Sequence, residues 1–135
     1  MPLQTTGFEW SVREDGILVY RFKDSRRQTI DQWVTIHRQH QNEHIEAGKP
    51  IRRIWFLEHG VIPTPYAFHV MVQLTREVPP GTRTHVAAIL ESSRVQSLIQ
   101  YAYSRIDARK DFIRFFSDEG EALDWLKSTE DVATI

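Results

Sequence analysis

Cysteine is absent from the 135 residues, which removes disulfides, thiolate metal clusters and a thiol nucleophile at once. Long apolar runs are also missing. Nothing approaches the ~18 uninterrupted apolar residues of a membrane helix, so no membrane span is expected. Neither sign of charge dominates: 17 Lys and Arg stand against 18 Asp and Glu, for a formal net charge of −1. Without a strong basic field, nucleic acid and anionic membranes are not expected partners. The opening MPLQTTGFEW has no basic segment followed by an apolar core, so no signal peptide is expected. No internal repeat or low-complexity linker interrupts the chain. What is present, 41% apolar and 26% charged residues, is the profile of an ordinary globular protein. A chain of this length fits one domain that buries roughly two-thirds of its unfolded surface. The expectation is a single cytoplasmic domain over 1–135, with its core at about 8–127.

Periodicity divides this domain into nine elements. In "FEWSVRED" Phe8, Trp10 and Val12 alternate with polar neighbours, the period of a half-buried strand. Asp15-Gly16 then signals a hairpin, with "ILVYRFK" (17–23) as the returning strand. Asp24 or Ser25 is placed to cap a helix from about Gln28 to Ala47, whose stripe includes Ile30, Trp33 and Val34. Gly48 suits its left-handed end, and Pro50 stops continuation. "IRRIWFLE" (51–58) reads as a nearly continuous apolar strand in the centre of a parallel sheet. Thr64-Pro65 is an N-cap with proline at the first helical position, and Ala67, Val70, Met71, Leu74 and Val78 supply a helical stripe. Tyr66, Phe68, Val70, Val72 and Leu74 also alternate, so an extended reading competes; the Thr-Pro start and the need for a crossover favour helix.

Pro79-Pro80-Gly81 ends that element. "RTHVAAILE" is the fourth strand, and Ser92 or Ser93 caps a helix through Val95, Leu98, Ile99, Ala102 and Ile106. "DFIRFF" is the fifth strand. Asp118 and Glu121 resemble a capping box ahead of Ala122, Leu123, Trp125 and Leu126. The order is β-β-α-β-α-β-α-β-α. Right-handed crossovers then require a mostly parallel five-stranded α/β sheet with its first strand antiparallel.

This order, together with Phe115-Phe116-Ser117-Asp118-Glu119 and Ala122-Leu123-Asp124-Trp125-Leu126, resembles the STAS domains. Within them it looks like the STAS-like proteins grouped with anti-sigma-factor antagonists. "VAAILESSRVQSLIQ" (86–100) is similar to the family's preceding strand-helix step. The resemblance covers about residues 8–127 by topology and the last forty or so by motif. It implies a non-enzymatic, regulatory protein-binding module that phosphorylation can switch. In switched members an Asp-Ser-Gly-like loop after the central strand sets the phosphoacceptor at a helix N-terminus, where N–H groups and the macrodipole stabilise phosphate. Here that place holds Pro63-Thr64-Pro65. The Asp and Ser are missing, which leaves Thr64 as the one hydroxyl for the role, with capping as its simplest job.

Glu58, His59 and Thr64 fall at the C-terminal end of a parallel strand, where open α/β sheets bind ligands. A carboxylate and an imidazole there suit acid-base chemistry, but no nucleophile motif, glycine-rich phosphate loop or orienting third residue accompanies them. The expectation is therefore no enzyme and no cofactor, with Glu58, His59, Thr64, Tyr66 and Phe68 as a binding edge. On the long first helix His37, His40 and His44 lie within about 60° of one another. His40 and His44 have the i, i+4 spacing of two metal ligands, without a certain third.

Phe68, Met71 and Val72, with Tyr101 and Tyr103, are candidates to line a pocket for a small apolar or lipid-like ligand. Because the second helix is apolar on nearly all sides, a cover on its outer face is expected. A homodimer is the simplest such cover. Arg94, Arg105, Arg109 and Lys110 read as a solvated basic fringe.

Overall fold

The computed structural model describes residues 6–58, 61, 63–90, 93–104 and 113–129. The early alternation becomes a hairpin: β1 (Phe8–Val12) and β2 (Leu18–Phe22) pair antiparallel, from Phe8 opposite Phe22 to Val12 opposite Leu18. Gly16 N donates to Arg13 O at 2.9 Å and Arg13 N to Ile17 O at 2.9 Å, which closes the turn. Helix α1 runs from Arg27 to Ala47 without a side-chain cap, after an extended Arg26. Neither Asp24 nor Ser25 is therefore its N-cap. Asp24 Oδ1 instead accepts from Arg26 N (3.0 Å) and from Thr29 Oγ1 (2.6 Å), which fixes the turn into the helix one step earlier than expected. At the other end Gly48 sits at φ +66, a left-handed conformation in which glycine carries no Cβ penalty.

β3 (Ile51–Leu57), α2 (Pro65–Arg76), β4 (Thr84–Leu90), α3 (Ser93–Ser104), β5 (Ile113–Phe116) and α4 (Glu119–Ser128) follow. Residues 66–74 are helical, as the Thr-Pro start favours, and their alternation carries no ladder. The strands lie in the order β1-β2-β3-β4-β5, with every pair after the hairpin parallel. The chain is thus an α/β domain with a five-stranded, mostly parallel sheet and four helices among the described residues. No helix among them is long and apolar enough to cross a membrane.

Sequential strand order has a consequence for the faces. Right-handed crossovers that always step in one direction deliver every crossover helix to the same side. Leu18, Tyr20, Phe22, Trp55, Val86, Ala88 and Ile113 accordingly pack with Ile30 and Trp33 of α1 and with Ala67, Val70, Met71 and Leu74 of α2. Helix α4 follows the last strand, has no crossover to make, and covers the opposite face. There Ala122 and Leu126 meet Ile17, Val19, Ile54 and Ala87. Asp118 starts α4 by accepting from Glu121 N at 2.9 Å, the half of the capping box in which the cap oxygen serves the third residue.

The expected bare apolar face on α2 is not there. Its exposed positions are Pro65, His69, Gln73 and Arg76, while Ala67, Val70, Met71, Leu74 and Thr75 are buried. The sheet takes one side and α1 another, so the chain covers this helix itself. The large apolar residues left exposed lie elsewhere: Trp10 and Val12 on β1, Ile45 on α1, Leu98 and Tyr101 on α3.

Candidate functional site

Where β2, β3, β4 and β5 end, the sheet and the three crossover helices do not close completely. They leave a cavity of about 60 Å³. Phe22, Trp33, Trp55, Ala88 and Met71 form its buried interior. Asp24, Ser25, Leu57, Pro63, Phe68 and Phe115 form a half-buried lip. The interior is carbon-lined, so it offers dispersion and desolvation rather than chemistry. Its location follows from topology: strand C-termini and the loops leaving them form the open end of a parallel sheet.

The corner after β3 shapes the lip. Glu58 N donates to Phe22 O at 3.0 Å, which extends the β2–β3 ladder by one step, and Val61 N turns back to Glu58 O at 3.0 Å. Val61 is buried against the pocket. Thr64 is the N-cap of α2, with its side chain accepting from Ala67 N at 3.1 Å. A cap of this kind satisfies one of the orphan donors of the first turn. Across the mouth, the Thr29 hydroxyl and Arg26 N–H hold the Asp24 carboxyl below its usual range, although partial burial opposes them. The lip therefore carries one fixed negative charge at neutral pH.

The residues predicted as a binding edge divide on inspection. Phe68 lines the pocket and Thr64 caps the helix that carries it. Glu58 is exposed at the strand end, while His59 lies outside the described residues. Tyr66 turns away towards α1. Its hydroxyl donates to Asp31, which raises its pKa, and the Arg27 guanidinium sits 4.4 Å from its ring centre. Tyr66 belongs with Asp31 and Arg38 to a shallow groove between α1 and α2.

The expected pocket between α2 and α3 is corrected in part. Phe68 and Met71 do line the cavity, and Ile99 joins them from α3. Val72 is half-buried but outside the lining, and Tyr101 is 64% exposed. The Tyr103 side chain, Arg105, Arg109 and Lys110 lie outside the described residues. The cavity opens beneath α2 towards the sheet and α1, so Phe22, Trp33 and Trp55 replace the tyrosines. Trp33 was legible as part of the α1 stripe; its contribution to a pocket was not.

The histidines of α1 are packed inward. His40 lies 2.6 Å from the Tyr20 hydroxyl and stacks edge-on against Trp10, with ring centres 4.7 Å apart. His44 Nδ1 donates to the His40 carbonyl at 2.8 Å. His37 and His40 are buried, and burial followed by the charge of Arg53 lowers both pKa values, that of His37 strongly. Among the described residues no group of three or more His, Asp or Glu side chains is placed to hold a metal ion. His40 and His44 thus have no third ligand there.

Compared with protein-family models, curated proteins and solved structures, the chain matches none.

Proposed function

We propose that this is a STAS-like binding and regulatory module of the cytoplasm, without catalysis of its own. It takes a protein partner at the tip of the sheet, over the corner 58–66 and the start of α2. The supporting observation is the size and lining of the pocket beneath that corner. An apolar cavity of about 150 Å³ holds a benzene molecule, whereas this one measures about 60 Å³. A recess of that size suits the end of one apolar side chain, an anchor of the kind that dominates many interfaces. Pro63 and Phe68 at the lip give such an anchor a stiff rim.

A second reading, a small apolar ligand in the same pocket, draws on its almost wholly carbon lining. A lipid-like chain would need the half-buried Leu57 and Phe68 to swing outward. Homodimer formation belongs to the proposal as well, with its support moved from α2 to Leu98 and Tyr101 of α3 and to Trp10 and Val12 of edge strand β1.

Native mass spectrometry of protein purified from its own cells separates the readings. A bound polypeptide that is lost from Ala88→Val, which fills the pocket from its floor, and from Phe68→Asp supports the partner. A retained small molecule with the same sensitivity supports the ligand. Retention of neither, or equal retention by both variants, defeats the pocket as the binding point.

A further inference from the structure

Deeper in the same layer, behind the pocket, lies a second and smaller chamber of about 20 Å³. Its lining residues are all buried. Most of the wall is apolar, but one side is not. Arg53, only 1% exposed, reaches into the layer from the central strand. Its Nε donates to the Tyr20 hydroxyl (3.3 Å), one terminal nitrogen to Thr84 Oγ1 (3.4 Å) and the other to the His37 carbonyl (3.2 Å). These bonds use three of the five N–H groups that a guanidinium carries. Two of them are long, and every acceptor is formally neutral.

No ion pair among the described residues includes Arg53. Nor do its neighbours supply a negative charge at neutral pH. Burial raises the Tyr20 pKa above its ordinary value of 10.0, so the phenol keeps its proton. His37 and His40 are neutral or positive. A buried, permanently charged group without a counter-charge is far more costly than a buried neutral one. Natural structures compensate such groups with a counter-ion or a full set of hydrogen bonds.

Further polar atoms close to this group lack protein partners. Trp33 Nε1 and Trp55 Nε1 are buried without a hydrogen bond, and both side chains line the chamber, whereas His37 and Gln41, also in its wall, engage each other. Indole nitrogens are obligate donors, and a neutral imidazole offers a donor on one nitrogen. A guanidinium with spare N–H groups, in a chamber whose wall also carries two indoles with unpartnered N–H donors, is the chemistry that receives an anion. On the same volume measure one water-sized sphere needs about 10–15 Å³. The chamber therefore admits one small body, and a tetrahedral oxyanion exceeds it.

We propose that this chamber binds one halide ion on the Arg53 guanidinium, within reach of the wall formed by Trp33 and Trp55. The ion would sit apart from the docking edge at the sheet tip, across the wall of Trp33, Trp55 and Met71 that the two spaces share. It would complete the charge balance of the core and tie β3 to α1.

The test uses the full chain dialysed into sodium gluconate, whose anion is too large for the chamber. Chloride, bromide, formate, acetate or sulfate is titrated in at constant ionic strength, with tryptophan fluorescence and melting temperature as readouts. Chloride and bromide should produce a saturable fluorescence change and a rise of several degrees in melting temperature, as any ligand of the folded state does. Formate and acetate, with three and four heavy atoms, should leave both readouts unchanged. Sulfate should have no specific effect.

Arg53→Met should abolish the response. Because that substitution strips three buried acceptors of their donor and risks unfolding, bromide-soaked crystals of the unaltered protein supply a second measurement. An anomalous peak within hydrogen-bond distance of the guanidinium is expected. The absence of any anion-specific change in the unaltered protein, a response that survives Arg53→Met, or bromide bound only elsewhere overturns the proposal; water then serves the orphan donors.

Discussion

The pocket at the tip of the sheet and the chamber around Arg53 share Trp33, Trp55 and Met71 as a common wall, yet their chemistry is opposite. One opens through a half-buried lip and is lined by carbon. The other is enclosed by buried residues and holds a guanidinium, an imidazole and a carboxamide. The pocket is a space the fold leaves because strand ends and crossover helices do not close perfectly, and little is lost if it stays open. The chamber exists because a charged residue was placed inside, and its neighbours must answer that charge. Similar gaps in packing can therefore have different origins: one is geometric and tolerant, the other electrostatic and demanding.

Removing the common wall should have the largest effect. Trp33→Ala deletes a side chain only 4% exposed and merges the two spaces, at a cost of about 3–5 kcal/mol measurable by urea unfolding. A loss below about 1 kcal/mol would mean that the spaces collapse on each other and are not distinct.

Acid should act next, through the two buried imidazoles of α1 near Arg53. In the unfolded chain His37 and His40 titrate near the ordinary value of 6.5, and in the fold both bind protons more weakly. Below about 6.5 the unfolded state thus takes up more protons than the folded one. The contribution of these groups to stability is complete above that pH and declines as pH falls through the window. The melting temperature should drop between neutral pH and pH 5, and His40→Gln should flatten part of that slope. A flat profile in the unaltered protein would show that these imidazoles are not held neutral.

A matched pair of small substitutions sharpens the contrast. Thr84→Val, nearly isosteric, takes an acceptor from Arg53 and should cost about 1–3 kcal/mol. Ala88→Val adds carbon to the floor of the pocket and should change stability by less than about 1 kcal/mol in either direction. Equal costs in thermal unfolding would erase the distinction between a tolerant gap and a demanding one. At the rim, Thr64→Ala removes the cap of α2 and should cost about 1 kcal/mol. The smallest effect is expected from Arg38→Gln. The Arg38–Glu77 pair measures 2.6 Å but is exposed on both sides, so less than about 1 kcal/mol should be lost, and less still at high salt.

Much of this architecture is visible in residue spacing. Asp15-Gly16 marks the hairpin, Thr64-Pro65 the start of α2, and Gly48 the end of α1, because each answers a backbone requirement within a few residues. The one cap that failed, at Asp24, failed locally: its carboxylate accepts from Arg26 N, two residues on, and from the Thr29 hydroxyl in the first turn, so it sits ahead of the N-cap position. Phe68 was legible as a site residue because it follows the corner directly. Val61, Phe22 and Trp55 were not, since each belongs to a different element and only packing brings them to one cavity.

Arg53 is the most instructive case. In "IRRIWFLE" Arg52 and Arg53 are the two cations of an otherwise mostly apolar run. Adjacent strand residues point to opposite faces, and both faces near this strand are helix-covered, so one arginine had to enter a core. Arg52 reaches the turn to donate to the Asp15 carbonyl at 2.8 Å, and Arg53 is the one buried.

Local order was therefore determined by the sequence alone: which segments are strand or helix, where they start, and that the crossovers build a mostly parallel sheet. These depend on backbone sterics, capping and hydrophobic period, all of which act over a few neighbouring residues. Which residues share a cavity, that α2 is covered by its own chain, and that a guanidinium is surrounded by neutral acceptors were decided by the tertiary structure. Those outcomes depend on distances between elements far apart along the chain, and spacing in one dimension carries no record of them.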